Sequence, residues 1–480
     1  MKRHEARQFG GAAVLGLSLL AFTGCAARRT AYTAPVAPQL TQAERWNTPL
    51  AGGAIASPTD DQTLSRWWAS LEDPILTSLE ERAVKNNLDL RQAEAKIRQA
   101  RAQRNIAAIG VQPSVTGGMS ANGSRTGSKS GGMSSTSQSY GATVDASWEP
   151  DFFGKLRGAV TAAQADLESA QADLRNVLVS LTAEVALEYI NVRSYQAQLA
   201  VTVSSLAAQE ETYQLTVARF ESGLSTELDV SQAKLSVESA RASIPTLETN
   251  LRQAKNAIAV LLGERPGAID AELAEMRPVP KVPASLAVGV PADLVRRRPD
   301  IGGAERQVAA QAARVNVAKA ELYPSFSLSG TLSLRSLNIA NLLTPSALGA
   351  SAAGGVTNPI FNRRKIREQI QVQSAQLDQT LAVYESTVLG ALRDVEDALA
   401  AYGQEMVRRQ SLAAANLAAG RALELSRGLY SAGLKDFLDV LDAQRSLLSL
   451  QNQLAQCDAG ITADLVRLYK ALGGGWSVTP

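Results

Sequence analysis

The 480-residue chain holds 48 basic and 46 acidic residues, is 45% hydrophobic and only 5% aromatic. That balance argues against nucleic-acid binding by bulk charge, which needs an excess of Lys and Arg over Asp and Glu to neutralise phosphates. One histidine, His4, and two cysteines, Cys25 and Cys457, leave little from which to build a His-dependent triad or a Cys/His zinc site.

Chain order begins with compartment. Lys2, Arg3 and Arg7 precede an uncharged apolar stretch from Gly11 to Phe22, closed by Phe22-Thr23-Gly24-Cys25. This is the layout of a secretory signal, residues 1–24, to be set aside from fold reasoning. The closing residues resemble a lipobox, with Phe22 where leucine is usual, which implies that Cys25 becomes the acylated first residue of a lipoprotein. Ala26 follows it, not the aspartate associated with inner-membrane retention, so outer-membrane lipid is the expected destination. The leader removes His4, three basic residues and one acid, so the remainder carries 45 charges of each sign. No Gly-rich phosphate loop or paired acidic motif organises the remaining carboxylates. The expectation is a protein that is not an enzyme, with no metal and no cofactor beyond the covalent lipid on Cys25. Cys457 shares a helical face with Leu454 and Ile461 and reads as a structural thiol.

After an N-terminal extension, 25–73, the chain repeats itself. Gly223-Leu224 recurs as Gly433-Leu434, Leu228-Asp229-Val230 as Leu438-Asp439-Val440, and Leu262-Gly263 as Leu472-Gly473, all at an offset of about 210. Upstream, Asp89-Leu90 matches Asp300-Ile301 and Pro113-Ser114 matches Pro324-Ser325. This predicts a first repeat over 74–277, a Pro-rich connector over 278–290, a second repeat over 291–474 and a tail over 475–480. Each repeat reads as a helical stretch (about 74–109, then 291–320), two strands, a very long helix and a shorter one. The strands are expected at about 112–122 and 139–149, then at 324–334 and 348–358. The helices are expected at about 155–222 and 226–263, then at 363–432 and 436–472. A helix of nearly 70 residues spans about 100 Å, longer than any compact domain of this size. Leu174, Leu178, Leu181 and Val185, like Val388, Leu392, Val395 and Leu399, follow the 4-3 spacing of a coiled-coil seam.

The strands carry the membrane argument. From Ser325 to Leu334 every even position is apolar or glycine and every odd one is Ser or Thr. Side chains alternate faces along a strand, so one face is apolar and the other hydroxylated. Tyr140, Ala142, Val144, Ala146 and Trp148 alternate likewise, and about ten such residues cross a tilted barrel wall. Four strands cannot close a barrel, and open edges in lipid cost several kcal/mol for each unpaired backbone group, so closure must come from other chains.

The residues Trp67-Trp68 with Asp73-Pro74, Asn87-Leu88-Asp89-Leu90, Ser147 to Arg157, Arg219 to Leu224, Arg296 to Ile301 and Gly433 to Arg445, in that order, resemble the TolC-like outer-membrane efflux ducts. Within that family the NodT-like lipoprotein branch is the nearest in pattern, over essentially the whole mature chain. The resemblance implies a fold that is mainly α with membrane β. A homotrimer forms a 12-stranded β-barrel continued by a 12-helix coiled-coil α-barrel projecting into the periplasm. It implies passive efflux of substrates delivered by an inner-membrane pump through a periplasmic adaptor protein. The turns at Gly223, Leu224, Gly433 and Leu434 are then the tips that meet the adaptor. Leu438 and Asp442 would form constricting rings at the periplasmic gate, with Arg445 pairing to a neighbouring helix. Leu438, Asp442 and Arg445 share a helical face by spacing, whereas Gln232 stands where the first repeat would match Asp442. A periplasmic coiled-coil adaptor or structural lipoprotein is the rival reading, but it would not require four amphipathic strands set between helices.

Overall fold

A computed structural model describes residues 45–57, 61–126, 135–291 and 297–477. The expected leader, Cys25, residues 26–44, Arg296 and the end of the tail lie outside the described residues. A short strand β1 (Ala54–Ile55) is followed by helix α1 (Asp61–Ser65) and a 3-10 turn over Trp67–Leu71. Next come helices α2 (Pro74–Asn86) and α3 (Leu88–Ile109), then strands β2 (Ser114–Thr126) and β3 (Ser135–Trp148). Helix α4 (Lys155–Glu221) has 67 residues and helix α5 (Glu227–Leu261) has 35. The connector supplies β4 (Leu286–Ala287), and the second repeat supplies α6 (Pro299–Ala320), β5 (Ser325–Ser336), β6 (Leu348–Thr357), α7 (Arg363–Ser431) and α8 (Phe437–Ala471).

The helical stretch expected over 74–109 consists of two helices. Asn87 leaves helical geometry (ψ 137°), and its Oδ1 accepts from Asp89 N at 2.8 Å and Leu90 N at 3.1 Å, capping α3. Its Nδ2 donates to Leu261 O at 2.9 Å, in the last turn of α5. An asparagine caps well because its side-chain oxygen replaces the missing intrahelical acceptor. Arg298, at the matching place in the second repeat, donates to Ala471 O at 3.0 Å in the last turn of α8. The duplication is therefore visible as one contact made twice with different chemistry.

Two compact units divide the chain, and each draws on both repeats. Among the described residues, one comprises Ile97–Ser169 and Ala304–Tyr384, and the other 45–96, 170–303 and 385–477. The sequence repeats are thus units of descent and not of packing. In the first unit the four long strands form an antiparallel sheet in the order β2-β3-β5-β6. Gly158 of α4 lies so close to α6 that a Cβ there would meet Val317 Cγ2 at 2.9 Å, and Arg314 Nη2 pairs with Asp166 Oδ2 at 2.5 Å.

The second unit holds the larger core. Trp67, fully buried, stacks on Tyr469 at 5.2 Å between centroids and lies edge-on to Trp68. Asp73 caps α2 through Oδ1, which accepts from Ile75 N and Leu76 N, while its Oδ2 accepts from Tyr189 Oη at 2.6 Å. Arg193, with no exposed surface, donates to Tyr189 Oη, to Gln196 Oε1 and to Glu275 O. A buried guanidinium is tolerable when its donors are largely used in this way; both terminal nitrogens are paired here, while Nε has no partner among the described residues. Cys457 is fully buried and its thiol donates to Glu405 O at 3.6 Å. Burial pushes its pKa up to about 12, so at neutral pH it carries almost no reactive thiolate.

Candidate functional site

The first unit presents the four-stranded sheet. Register places Val115, Ala146, Gly330 and Ala352 side by side, and Gly117, Val144, Leu332 and Ala350 likewise one step further on. Over this span one face is therefore apolar, giving way to Ser336, Gln138, Thr136 and Arg125 at the far end of the strands, and it stands exposed: Met119 is 90% accessible and Val356 64%. The other face carries Ser, Thr and Gly, with Ser114 Oγ within 2.7 Å of Ser147 Oγ and Thr331 Oγ1 donating to Asp145 Oδ1 at 2.7 Å. Strands β2 and β6 are the two edges. At the helix-proximal ends of the strands, Phe153 stacks on Tyr323 at 4.8 Å and Phe152 meets Phe326 edge-on at 5.0 Å. Phe361 projects beside them, 95% exposed. An aromatic cluster at a strand terminus suits the interface between hydrocarbon and water. The sequence reading noted Tyr140 and Trp148 at the strand ends, and named Phe326 in its strand and Phe152 and Phe153 in a family stretch. It did not group them with Tyr323 and Phe361, although their clustering near residues 152, 323 and 361 was a usable signal.

The turn leaving β3 is fixed by Asp151. Burial raises its pKa, but hydrogen bonds from the backbone and guanidinium of Arg157 outweigh that and hold it below the usual carboxylate value. This orients the first turn of α4 against the strand that precedes it.

The second unit presents the two helical hairpin tips. Gly223 has φ 72° and Gly433 φ 73°, the left-handed conformation that glycine adopts without steric penalty. Gly223 N donates to Phe220 O and Leu224 N to Arg219 O; Gly433 N donates to Tyr430 O and Leu434 N to Leu429 O. Both ends are thus Schellman caps. Leu224 and Leu434 project from them, 67% and 72% exposed. The two hairpins then differ. Thr226 and Asp229 form a reciprocal capping box at the start of α5. At the start of α8 Asp436 makes no side-chain cap, and Asp439 instead pairs with Lys435 at 3.3 Å.

Leu438, Asp442 and Arg445 do share one exposed face of α8, while Phe437, Val440, Leu441 and Gln444 are buried on the opposite one. Asp442 lines an open groove with Leu429, Lys435, Asp439 and Ser446. Within one chain, Asp442 and Arg445 form no hydrogen bond or ion pair among the described residues. The buried side of the tip is a cluster of Ala233, Leu423, Tyr430, Phe437, Val440 and Leu441, which joins both hairpins. Arg219 completes it from α4 by lying over the Tyr430 ring; the sequence reading named that residue only within a family stretch and gave it no role.

Helices of about 100 Å and an uncovered apolar sheet face do not belong to a compact catalytic domain; they define a subunit of a membrane-embedded duct. Comparison with known proteins gives the family. The family model described as outer membrane efflux protein matches residues 79–264 and again 290–474, once in each repeat. The chain belongs to that family, which makes it an outer-membrane efflux channel component. Nodulation protein T of Rhizobium leguminosarum bv. trifolii is 32% identical over 437 residues, covering 88% of this chain and 91% of the relative. The pyoverdine export outer membrane protein OpmQ of Pseudomonas putida is 34% identical over 442 residues, covering 90% and 91%. The solved structure of the outer-membrane channel OprN superimposes with a TM-score of 0.86 at 34% identity, covering 93% of this chain and 98% of that one.

Proposed function

We propose that three copies of the chain close one duct, a twelve-stranded barrel in the outer membrane continued by twelve helices in the periplasm. The duct passively conducts substrates handed on by a periplasmic adaptor and an inner-membrane pump. The observation that carries this reading is the sheet with one apolar face and two free edges, β2 and β6. Edges in lipid must be paired. Two chains would give eight strands and a lumen filled by side chains, whereas three leave room for water. The chain's own contribution is a passage and a gate, with no chemistry at either end.

In this reading Leu224 and Leu434, held out by the caps at Gly223 and Gly433, meet the adaptor. Leu438 and Asp442 narrow the bore, and Arg445 ties α8 to a neighbouring helix. An acyl group on Cys25 anchors the chain to outer-membrane lipid, and palmitate labelling lost in Cys25→Ser tests that anchor. The assembly itself is tested in detergent: light scattering should give three times the mass of one chain, in an oligomer that collapses on heating. A monomer under those conditions overturns the trimeric duct.

A further inference from the structure

The hydroxylated face of the sheet carries one row unlike the others. Thr116 lies beside Asp145, Asp145 beside Thr331, and Thr331 beside Ser351, so all four strands contribute a side-chain oxygen at one level. Asp145 Oδ1 accepts from Thr331 Oγ1 at 2.7 Å, which fixes the carboxylate on that face and not on the apolar one. The row on one side, Ser114-Ser147-Ser329-Ala353, and that on the other, Gly118-Thr143-Ser333-Gly349, carry no charge. Among the described residues of the four strands Asp145 is the sole acid. The two cations are Arg335, four residues further along β5 and hence about 13 Å away, and Arg125, near the opposite end of β2 from Ser114.

We infer that Asp145 sets an ion preference within the barrel lumen, for cations over anions, separately from any gate at the hairpin tips. The inference rests on the trimeric duct proposed above, in which the apolar face meets lipid and the hydroxylated face lines the bore. Three copies repeat the row around the axis, giving twelve oxygen-bearing side chains whose three carboxylates, related by the threefold axis, lie at one height. Strands about 4.8 Å apart and tilted about 40° put the wall about 12 Å from the axis, and the side chains reach inward from it. The axis then lies about one screening length from each carboxylate at physiological salt and well inside it at low salt. A wall of low dielectric keeps the field of these charges within the water of the bore.

The reversal potential of purified trimer in a planar bilayer, under a KCl gradient, reads this directly. Asp145→Asn keeps the side-chain shape and an acceptor for Thr331, so assembly is preserved. At about 10 mM salt, where the screening length is about 30 Å, it should shift the reversal potential away from the cation limit. At about 1 M, where the length is about 3 Å, variant and parent should coincide. Asp145→Lys should move the preference towards anions. The Asp145→Asn shift should persist in an Asp442→Asn background, which removes the tip carboxylate. Identical low-salt reversal potentials in the parent and Asp145→Asn, with conducting heat-sensitive trimers in both, overturn the inference while leaving the duct intact. A parent protein that forms neither trimer nor channel overturns both.

Discussion

The guanidinium of Arg219 lies 4.7 Å over the ring of Tyr430 and donates to Ser431 O at 3.2 Å, so the first hairpin is fastened to the second next to both tips. Tyr430 is only 6% exposed and also packs at 5.5 Å against Phe437, the first residue of α8. One contact therefore spans the last turn of α4, the last turn of α7 and the start of α8. These are the segments whose separation would widen a bore at this end.

Arg219→Ala should loosen this fastening. A cation over an aromatic ring is worth about 0.5–1 kcal/mol at a partly exposed site, so the opening equilibrium of the tips should rise by up to about fivefold. Hydrogen exchange at the amides of Gly223, Leu224, Gly433 and Leu434 measures it. Arg219→Lys, which keeps charge but loses the planar fork, should fall between. Unchanged exchange in the alanine variant would mean that the hydrophobic cluster alone holds the tips together.

The facing of the sheet gives a second outcome. Leu328 lies beside Trp148 and Gly354 on the apolar face, and Ser329 beside Ser147 and Ala353 on the hydroxylated one. Leu328 lies close to the interfacial rings, so the sharper site is Leu332, midway along β5 and beside Val144 on the same apolar face. Leu332→Arg should cost about 2–4 kcal/mol near the bilayer midplane and deplete assembled trimer in the outer membrane. Ser329→Arg places the same charge in the bore and should assemble. Equal yields of heat-sensitive trimer from the two variants would contradict this facing.

Glu80 gives a pH dependence. It is fully buried in α2, neither carboxylate oxygen has a hydrogen-bond partner among the described residues, and burial raises its pKa well above 4.5. A carboxyl whose folded pKa is raised contributes stability that is complete below the unfolded value and lost as pH climbs through the folded one. Glu80→Gln cannot ionise and escapes that loss. Its thermal stability relative to the parent should therefore grow across the pH window that opens above the ordinary glutamate value, as followed by circular dichroism at each pH. A constant difference across that window would show that Glu80 is already ionised in the fold.

Much of this architecture was legible because it rests on periodicity. Period two from Ser325 to Leu334 gave both faces of β5, and the offset of about 210 gave both long helices and both capped tips. Periodicity fails where the side chains are too small to mark a face. Strand β2 runs on to Thr126 and β3 begins at Ser135, through Ser, Gly and Asn that show no alternation of hydrophobicity. It fails again where structure comes from contacts distant in sequence. Asn87 breaks a helix and reaches Leu261 O across 174 positions within the first repeat, and Arg219 meets Tyr430 across 211 positions between the repeats. Neither pairing leaves a periodic mark in the sequence.

The last expectation concerns the gate. Leu438 is 52% exposed on the same face of α8 as Asp442 and Arg445, while the buried face of that helix is already occupied by its own chain. Around a threefold axis, three leucines narrow the bore and three carboxylates repel one another, so a closed state needs a compensating charge. Arg445, one turn on and without an ion pair among the described residues of its own chain, is placed to supply it to a neighbouring copy. The alternative acids are committed elsewhere: Asp229 to the capping box with Thr226, and Asp439 to Lys435. Leu438→Ala with Asp442→Ala should therefore raise single-channel conductance in a planar bilayer. Arg445→Ala should raise it less, by releasing the tether while leaving the leucines in place. Asp229→Asn should affect hairpin stability and leave conductance alone. If the double variant assembles as a trimer and conducts like the parent, the constriction lies elsewhere along the helices and the exposed face of α8 has some other partner.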